Sequence, residues 1–246
     1  QALARLPLLL QERDKANGLN TGGFISGYRG SPLGRYDMEL WAQKERLAAH
    51  NIRFLPGVNE DLAATMVAGT QYVGVFPGAK VDGVFGIWYG KGPGVDRTGD
   101  VFRHANSAGT HKHGGVLALA GDDHGAKSST IANFSDEIFI ATGIPVLYPS
   151  NTQDLIDFGL YGIALSRFSG CWVGIKVHND VVEGGGSVRI SPTEPHITIP
   201  DHSPAAHLGP AGFNTRLMDN PLIMEDRLYN HKLDAVTAFA RANPIN

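Results

Sequence analysis

Three apolar runs do most to limit what this chain can fold into. They are "GVFGIWYG" from Gly83, "GGVLALAG" from Gly114 and "CWVGIKV" from Cys171. None alternates polar with apolar residues, which is the pattern of strands covered on both faces. Shorter strand signals stand at Phe24-Ile25, "IRF" and "IPVLYP", and helical patterns lie between them. This alternation predicts an α/β fold: a mostly parallel sheet with helices on both faces and right-handed crossovers. Ligands in such sheets gather at the carboxyl ends of strands. Three loops are expected there: "GYRGSPLG", "YGKGPGVD" and "AGDDHGAKSS".

The helices are marked by their ends and their spacing. "YDMELWAQKERLAAH" carries Leu40, Trp41, Leu47 and Ala48 at helical intervals. Asn59 reads as an N-cap for a helix opening at Glu60, with Leu62, Met66, Val67, Thr70 and Val73 along one side. After the strand ending at Tyr89 a Gly-rich turn is expected, then a helix over "VFRHANSAG". Ser135 and Gly143 bracket another helix, and Gly170 closes a longer one. Beyond Val177 the chain turns rich in Pro, His and Gly. A last helix is expected from about Met224 to Ala242, with Tyr229, Leu233, Val236 and Ala240 on its apolar side. The expected organisation is a main α/β domain over 1–178, then an extended segment and a C-terminal helix over 179–246 that lead to a following domain.

The net charge of −3 and the absence of a basic run give nucleic acid no surface to bind. No stretch is long and apolar enough for a membrane span. The lone cysteine, Cys171, sits in a buried-strand pattern and reads as a core thiol. A reducing, cytoplasmic setting is expected. The chain starts at Gln1 and stops just after a helical pattern, so a longer polypeptide is expected.

The loops exclude several chemistries by spacing. "YGKGPGVDRTGD" lacks the Lys-Ser/Thr of a phosphate loop and the last glycine of a dinucleotide fingerprint. No Gly-x-Ser-x-Gly occurs. Asp122, Asp123, His124, His111 and His113 include metal-ligand types, but the two latter histidines fall at the opposite end of the strand from Asp122. No metal ligand set is expected in this chain. Glu60 is open to two readings: a first-turn carboxylate favoured by the helix dipole, or an acid facing a cleft where it holds a ring nitrogen of a ligand.

The strings "FISGYRGSPLGRYD", "PGVNEDLAAT", "FPGAKVDGVFGIWYGKGPGVDRTGD" and "LAGDDHGAKSST" together resemble the N-terminal region of the indolepyruvate ferredoxin oxidoreductases. These are relatives of the pyruvate:ferredoxin oxidoreductases. The similarity runs from about Gly23 to "YNHKLDAVTAFARAN" near the end. It implies the thiamine diphosphate-binding fold, in its pyrimidine-type domain. It also implies oxidative decarboxylation of aryl-2-oxo acids to acyl-CoA and CO2, with electrons passed through [4Fe-4S] clusters to ferredoxin.

By that resemblance Glu60 is the activating glutamate, whose carboxyl group hydrogen-bonds N1′ of the aminopyrimidine and readies the neighbouring amino group to take a proton from the thiazolium C2. For this the carboxyl must be protonated or share a proton. Tyr28, Gly30, Ser31 and Pro32 match a loop that lines the cofactor, and Gly92, Pro93 and Gly94 match a Gly-Pro-Gly turn of the cleft. Ser31 takes the place of a family threonine. Ser31, Arg29, Asp123 and His124 are the candidates for contacting substrate. The Arg29-Gly30 pair departs from the apolar-proline pair of the pyruvate enzymes.

The diphosphate-and-magnesium motif is absent from the sequence, and one cysteine cannot hold a cluster. Mg2+ and the [4Fe-4S] clusters are therefore expected from other domains or subunits. The partners implied are those portions, ferredoxin, coenzyme A and a 2-oxo acid, in a homodimer or larger assembly. The rival readings are a non-catalytic scaffold or regulatory domain of the same fold, and a metal-dependent hydrolase using Asp122, Asp123 and His124.

Overall fold

The computed structural model describes residues 1–191, 193–217 and 219–245. Six strands form one sheet: β1 (Thr21–Gly27), β2 (Ile52–Phe54), β3 (Gly83–Lys91), β4 (Val116–Asp122), β5 (Val146–Leu147) and β6 (Val173–His178). Their order is β2-β1-β3-β4-β6-β5, and every pairing is parallel. The chain moves outward from β1 to β2 and then returns to β3 on the other side of β1. That reversal opens a crevice between the carboxyl ends of β1 and β3, where ligands bind in sheets of this kind.

Helices cover both faces, as the unbroken apolar strands require. One face carries α1 (Ala2–Ala16), α2 (Tyr36–Ala42), α3 (Lys44–Ala49), α7 (Thr152–Ser169) and α10 (Leu233–Ala242). Its core holds Leu6, Ile25, Ile87, Leu119, Ile163 and Ile175. The other face carries α4 (Glu60–Gly69), α5 (Gly92–Ala108) and α6 (Asp136–Ala141). Its centre is aromatic, with Trp88, Phe139 and Trp172 around Phe102 at centroid distances of 4.9, 5.9 and 5.7 Å. Among the described residues the remaining α-helices are the short α8 (Asn179–Glu183) and α9 (Pro221–Asp226), the latter joined to α10 by a π-helical turn over Arg227–Lys232.

Several local expectations shift. No turn separates β3 from α5: Lys91 ends the strand and Gly92 begins the helix. Gly92-Pro93-Gly94 is thus the first turn of a 17-residue helix. Pro is favoured at this end because its missing N–H would have no helical partner there.

On α4 the buried residues are Ala63, Ala64 and Val67, while Leu62 is exposed. Small residues bring this helix close to the sheet: a Cβ on Gly86 of β3 would lie 2.7 Å from Val67. At the C-terminus the buried line is Leu228, Lys232, Ala235 and Phe239, one residue off the expected Tyr229 line. Lys232 is tolerated inside because its Nζ donates to the carbonyls of Asn106, Ser107 and Gly170. Phe239 packs on Tyr161 and Phe168 of α7 and fastens the end of the chain to the main core.

Candidate active site

Glu60 is the first residue of α4, and α4 follows β2, so the fold delivers it to the carboxyl edge of the sheet. Asn59 caps the helix, its Oδ1 accepting from Leu62 N at 2.9 Å. Trp88 of β3 holds the Glu60 backbone, its indole N–H donating to the Glu60 carbonyl at 3.0 Å. The half-buried side chain lies over Gly90 and Gly94: a Cβ would stand 3.5 Å from Glu60 Cγ at Gly90 and 2.5 Å at Gly94. Its carboxylate therefore sits against the first turn of α5, where the helix dipole favours negative charge.

The two acids of the "NED" segment have separate partners. Asp61 pairs with Arg97 of α5 at 2.8 Å. Among the described residues Glu60 has no side-chain hydrogen bond or ion pair.

Gly92 is buried beneath Asn133, whose Oδ1 would lie 2.0 Å from a Cβ there. The Oδ1 of Asn133 is buried and has no hydrogen-bond partner among the described residues. Pro93 is exposed beside it. Asn133 belongs to the β4–α6 loop, where the sequence singled out Asp123 and His124 but not Asn133. Its strong constraint shows only in three dimensions, through the glycine it faces.

The β1 loop divides differently. Tyr28 and Arg29 are exposed, with Tyr28 N donating to the Tyr89 carbonyl at 3.0 Å. Gly30 rests on Lys91, whose Cβ would lie 3.0 Å from a Cβ at 30. Ser31 and Pro32 turn toward the other face of the sheet, where Pro32 and Leu33 pack over Gly121. There they line a cavity of about 740 Å³ with Leu3, Tyr36, Leu155 and Val182. Neither Glu60 nor α5 contributes to that cavity, so the predicted residues fall into two groups on opposite sides of the strand ends.

Asp122 and Asp123 end β4 in different surroundings. Asp122 is fully buried, and burial pushes its carboxyl above the ordinary range against the opposing pull of hydrogen bonds from Ser135. Ser135 gives it both its N–H and its hydroxyl, at 2.9 and 2.5 Å, and so acts as a tether where the sequence suggested a cap.

Asp123 organises its own loop. Lys127 N, Ser128 N, the Ser128 and Ser129 hydroxyls and Asn179 Nδ2 all donate to it. The Ser128 N–H and then the Ser129 hydroxyl hold its carboxyl below the ordinary range. His124 lies 3.8 Å from Asp122 through Nε2, and its ring meets that of His178 at a tilt of 41° with centroids 4.7 Å apart. Lys176 of β6, read only as part of an apolar strand, bridges Asp136 at 2.5 Å and Asp122 at 3.8 Å. Among the described residues, Asp122, Asp123 and His124 do not converge on a shared metal position.

No protein-family model matches the chain, and no curated protein does. Among solved structures it is similar to a 2-oxoglutarate:ferredoxin oxidoreductase from Magnetococcus marinus with 2-oxoglutarate, coenzyme A and succinyl-CoA bound. The TM-score is 0.58 at 14% identity, and the match covers 95% of this chain and 44% of that one. The chain thus spans less than half the length of that enzyme. At such an identity the likeness establishes the fold alone: a parallel α/β sheet of the type found in that oxidoreductase.

Proposed function

We propose that this chain is the pyrimidine-binding part of a thiamine diphosphate-dependent 2-oxoacid:ferredoxin oxidoreductase whose substrates are arylpyruvates of the indolepyruvate type. One observation carries the reading. Among the described residues Glu60 is a carboxylate at the sheet's switch point without a side-chain hydrogen bond or ion pair, and Gly90 and Gly94 leave it room.

The residues present fit the group. A half-buried free carboxyl suits a ring nitrogen, and the glycine cradle allows a flat ring to approach the backbone closely. Glu60 would hold a proton at N1′ of the aminopyrimidine. Trp88 and Asn59 would fix its backbone, and the first turn of α5 would close the cleft behind it. When bound, thiamine diphosphate supplies the carbon nucleophile and the electron sink. Mg2+, the iron–sulfur clusters, the coenzyme A site and the ferredoxin surface would come from the diphosphate-binding and iron–sulfur portions of the enzyme. Gly92, Pro93, Tyr28 and Gly30 would bound the cofactor side, and Arg29 and His124 the substrate side; Ser31 lines the cavity on the opposite face, and the oxygens of Asp123 are held by its own loop.

Glu60→Gln in the complete enzyme tests the assignment. Ferredoxin reduction should fall about 100-fold or more while the fold is kept; near-normal turnover would overturn it. Substrate class is tested by comparing indolepyruvate with 2-oxoglutarate in the same assay. Preferred turnover of 2-oxoglutarate would remove the aryl assignment and leave the Glu60 role standing.

A further inference from the structure

Far from the sheet's carboxyl edge, three side chains converge on the surface of the C-terminal helix. His207 lies in a short 3-10 turn (Ala206–Leu208), Asp226 ends α9 and His231 stands in the π-helical turn. One ligand atom from each lies within 4.8 Å of the other two. His207 Nε2 and His231 Nε2 each stand 3.4 Å from the same oxygen, Asp226 Oδ2. The imidazoles meet edge to face at 5.0 Å.

These distances suit a shared ion better than hydrogen bonds. Good N–H···O bonds cluster near 2.9–3.0 Å, and both contacts are longer. With zinc–ligand bonds of about 2.1 Å, the edge of a tetrahedral site is about 3.4 Å. The other carboxylate oxygen is also placed: Asn230 Nδ2 donates to Asp226 Oδ1 at 2.9 Å, so Oδ2 faces the histidines. Outer-shell partners of this kind orient metal-binding carboxylates.

The backbone supplies the convergence. Residues five apart on a regular α-helix point about 140° away from each other. The i→i+5 spacing of the π-turn brings Asp226 and His231 onto one side, and such turns concentrate at functional sites. The 3-10 turn is anchored independently of the histidines. Leu208 is buried with Phe213 and Ala235, and its carbonyl accepts from Arg216, which pairs with Asp219.

We propose that His207, Asp226 and His231 bind Zn2+ or a similar divalent transition ion, with water completing the shell. The bound ion would cross-link the 206–208 turn to the helix that follows α9. Two nitrogens and one carboxylate oxygen are a ligand set that zinc accepts, with a position left open to solvent.

The test is calorimetric titration of Zn2+ into the full-length protein, purified without a histidine tag, alongside His231→Ala and His207→Ala. Wild type should take up one equivalent more than either variant. Asn230→Ala should keep the stoichiometry and bind about 10–100-fold more weakly. His207 sits on an exposed turn, so its variant remains informative should the His231 change disturb the helix; circular dichroism reports the fold of each. Equal Zn2+ uptake by wild type and the His207 variant, or no uptake by wild type, would overturn the proposal.

Discussion

Glu60 and Gly94 occupy one space: a Cβ on Gly94 would stand 2.5 Å from Glu60 Cγ and 2.7 Å from its Oε1. Gly94 lies within a helix, where alanine is intrinsically favoured by about 1 kcal/mol. Gly94→Ala therefore sets a gain in helix propensity against displacement of a half-exposed side chain. The expected result is a melting temperature near that of the parent and a loss of about 100-fold in turnover, the scale of a misplaced catalytic group. A thermal melt paired with ferredoxin-reduction kinetics separates the two effects.

Trp88→Phe removes the donor to the Glu60 carbonyl and leaves a void where the indole packed. Unfolding free energy should fall by about 2 kcal/mol. Glu60→Gln breaks no side-chain hydrogen bond or ion pair among the described residues and should keep the parent midpoint. Urea denaturation of the pair distinguishes a backbone brace from a free side chain.

Asp14 binds Arg167 through both oxygens, at 2.6 and 2.7 Å, and also accepts from the Thr21 hydroxyl at 2.6 Å. This joins α1, α7 and β1 at a nearly buried point. Asp14→Asn leaves Arg167 without its counter-charge and should cost about 3 kcal/mol, as broken buried pairs do. The loss would show in the urea midpoint.

Tyr36 and Tyr89 meet edge to face at 5.1 Å beneath α2, and neither hydroxyl has a hydrogen-bond partner among the described residues. Burial raises both phenols above the ordinary value, which is 10.0. The unfolded chain therefore ionises first, so this contribution is complete below pH 10 and is lost as pH rises beyond it. Urea unfolding between pH 9 and 11 should show that fall, and Tyr36→Phe should lessen it. At neutral pH Tyr36→Phe should be neutral or mildly stabilising, because it deletes an unpaired buried hydroxyl.

The strands and the start of α4 were legible because their signals are local: unbroken apolar runs, and an asparagine before Glu60. Gly92 and Gly94 read as a turn because glycine usually marks one, and the sequence hides the Glu60 and Asn133 side chains that require it. The buried line of the C-terminal helix was drawn one residue off for a similar reason. Lys232 and Arg227 are charged, yet both are buried because they donate to carbonyls of residues 106–108 and 170, distant in the chain. Ser31 looked close to Glu60 because loops after neighbouring strands share an edge. Pleating sent them to opposite faces, and motif matching cannot see which face a loop leaves by.

The two glycines at the start of α5 carry no functional group, yet each is fixed by someone else's side chain. Intolerance at 92 and 94 is therefore a property of pairs. Trimming Asn133 should release Gly92 without helping Gly94, and shortening Glu60 should do the reverse. A double-substitution map of the chain would thus trace the floor of the cleft through positions that, taken singly, resemble ordinary helix residues.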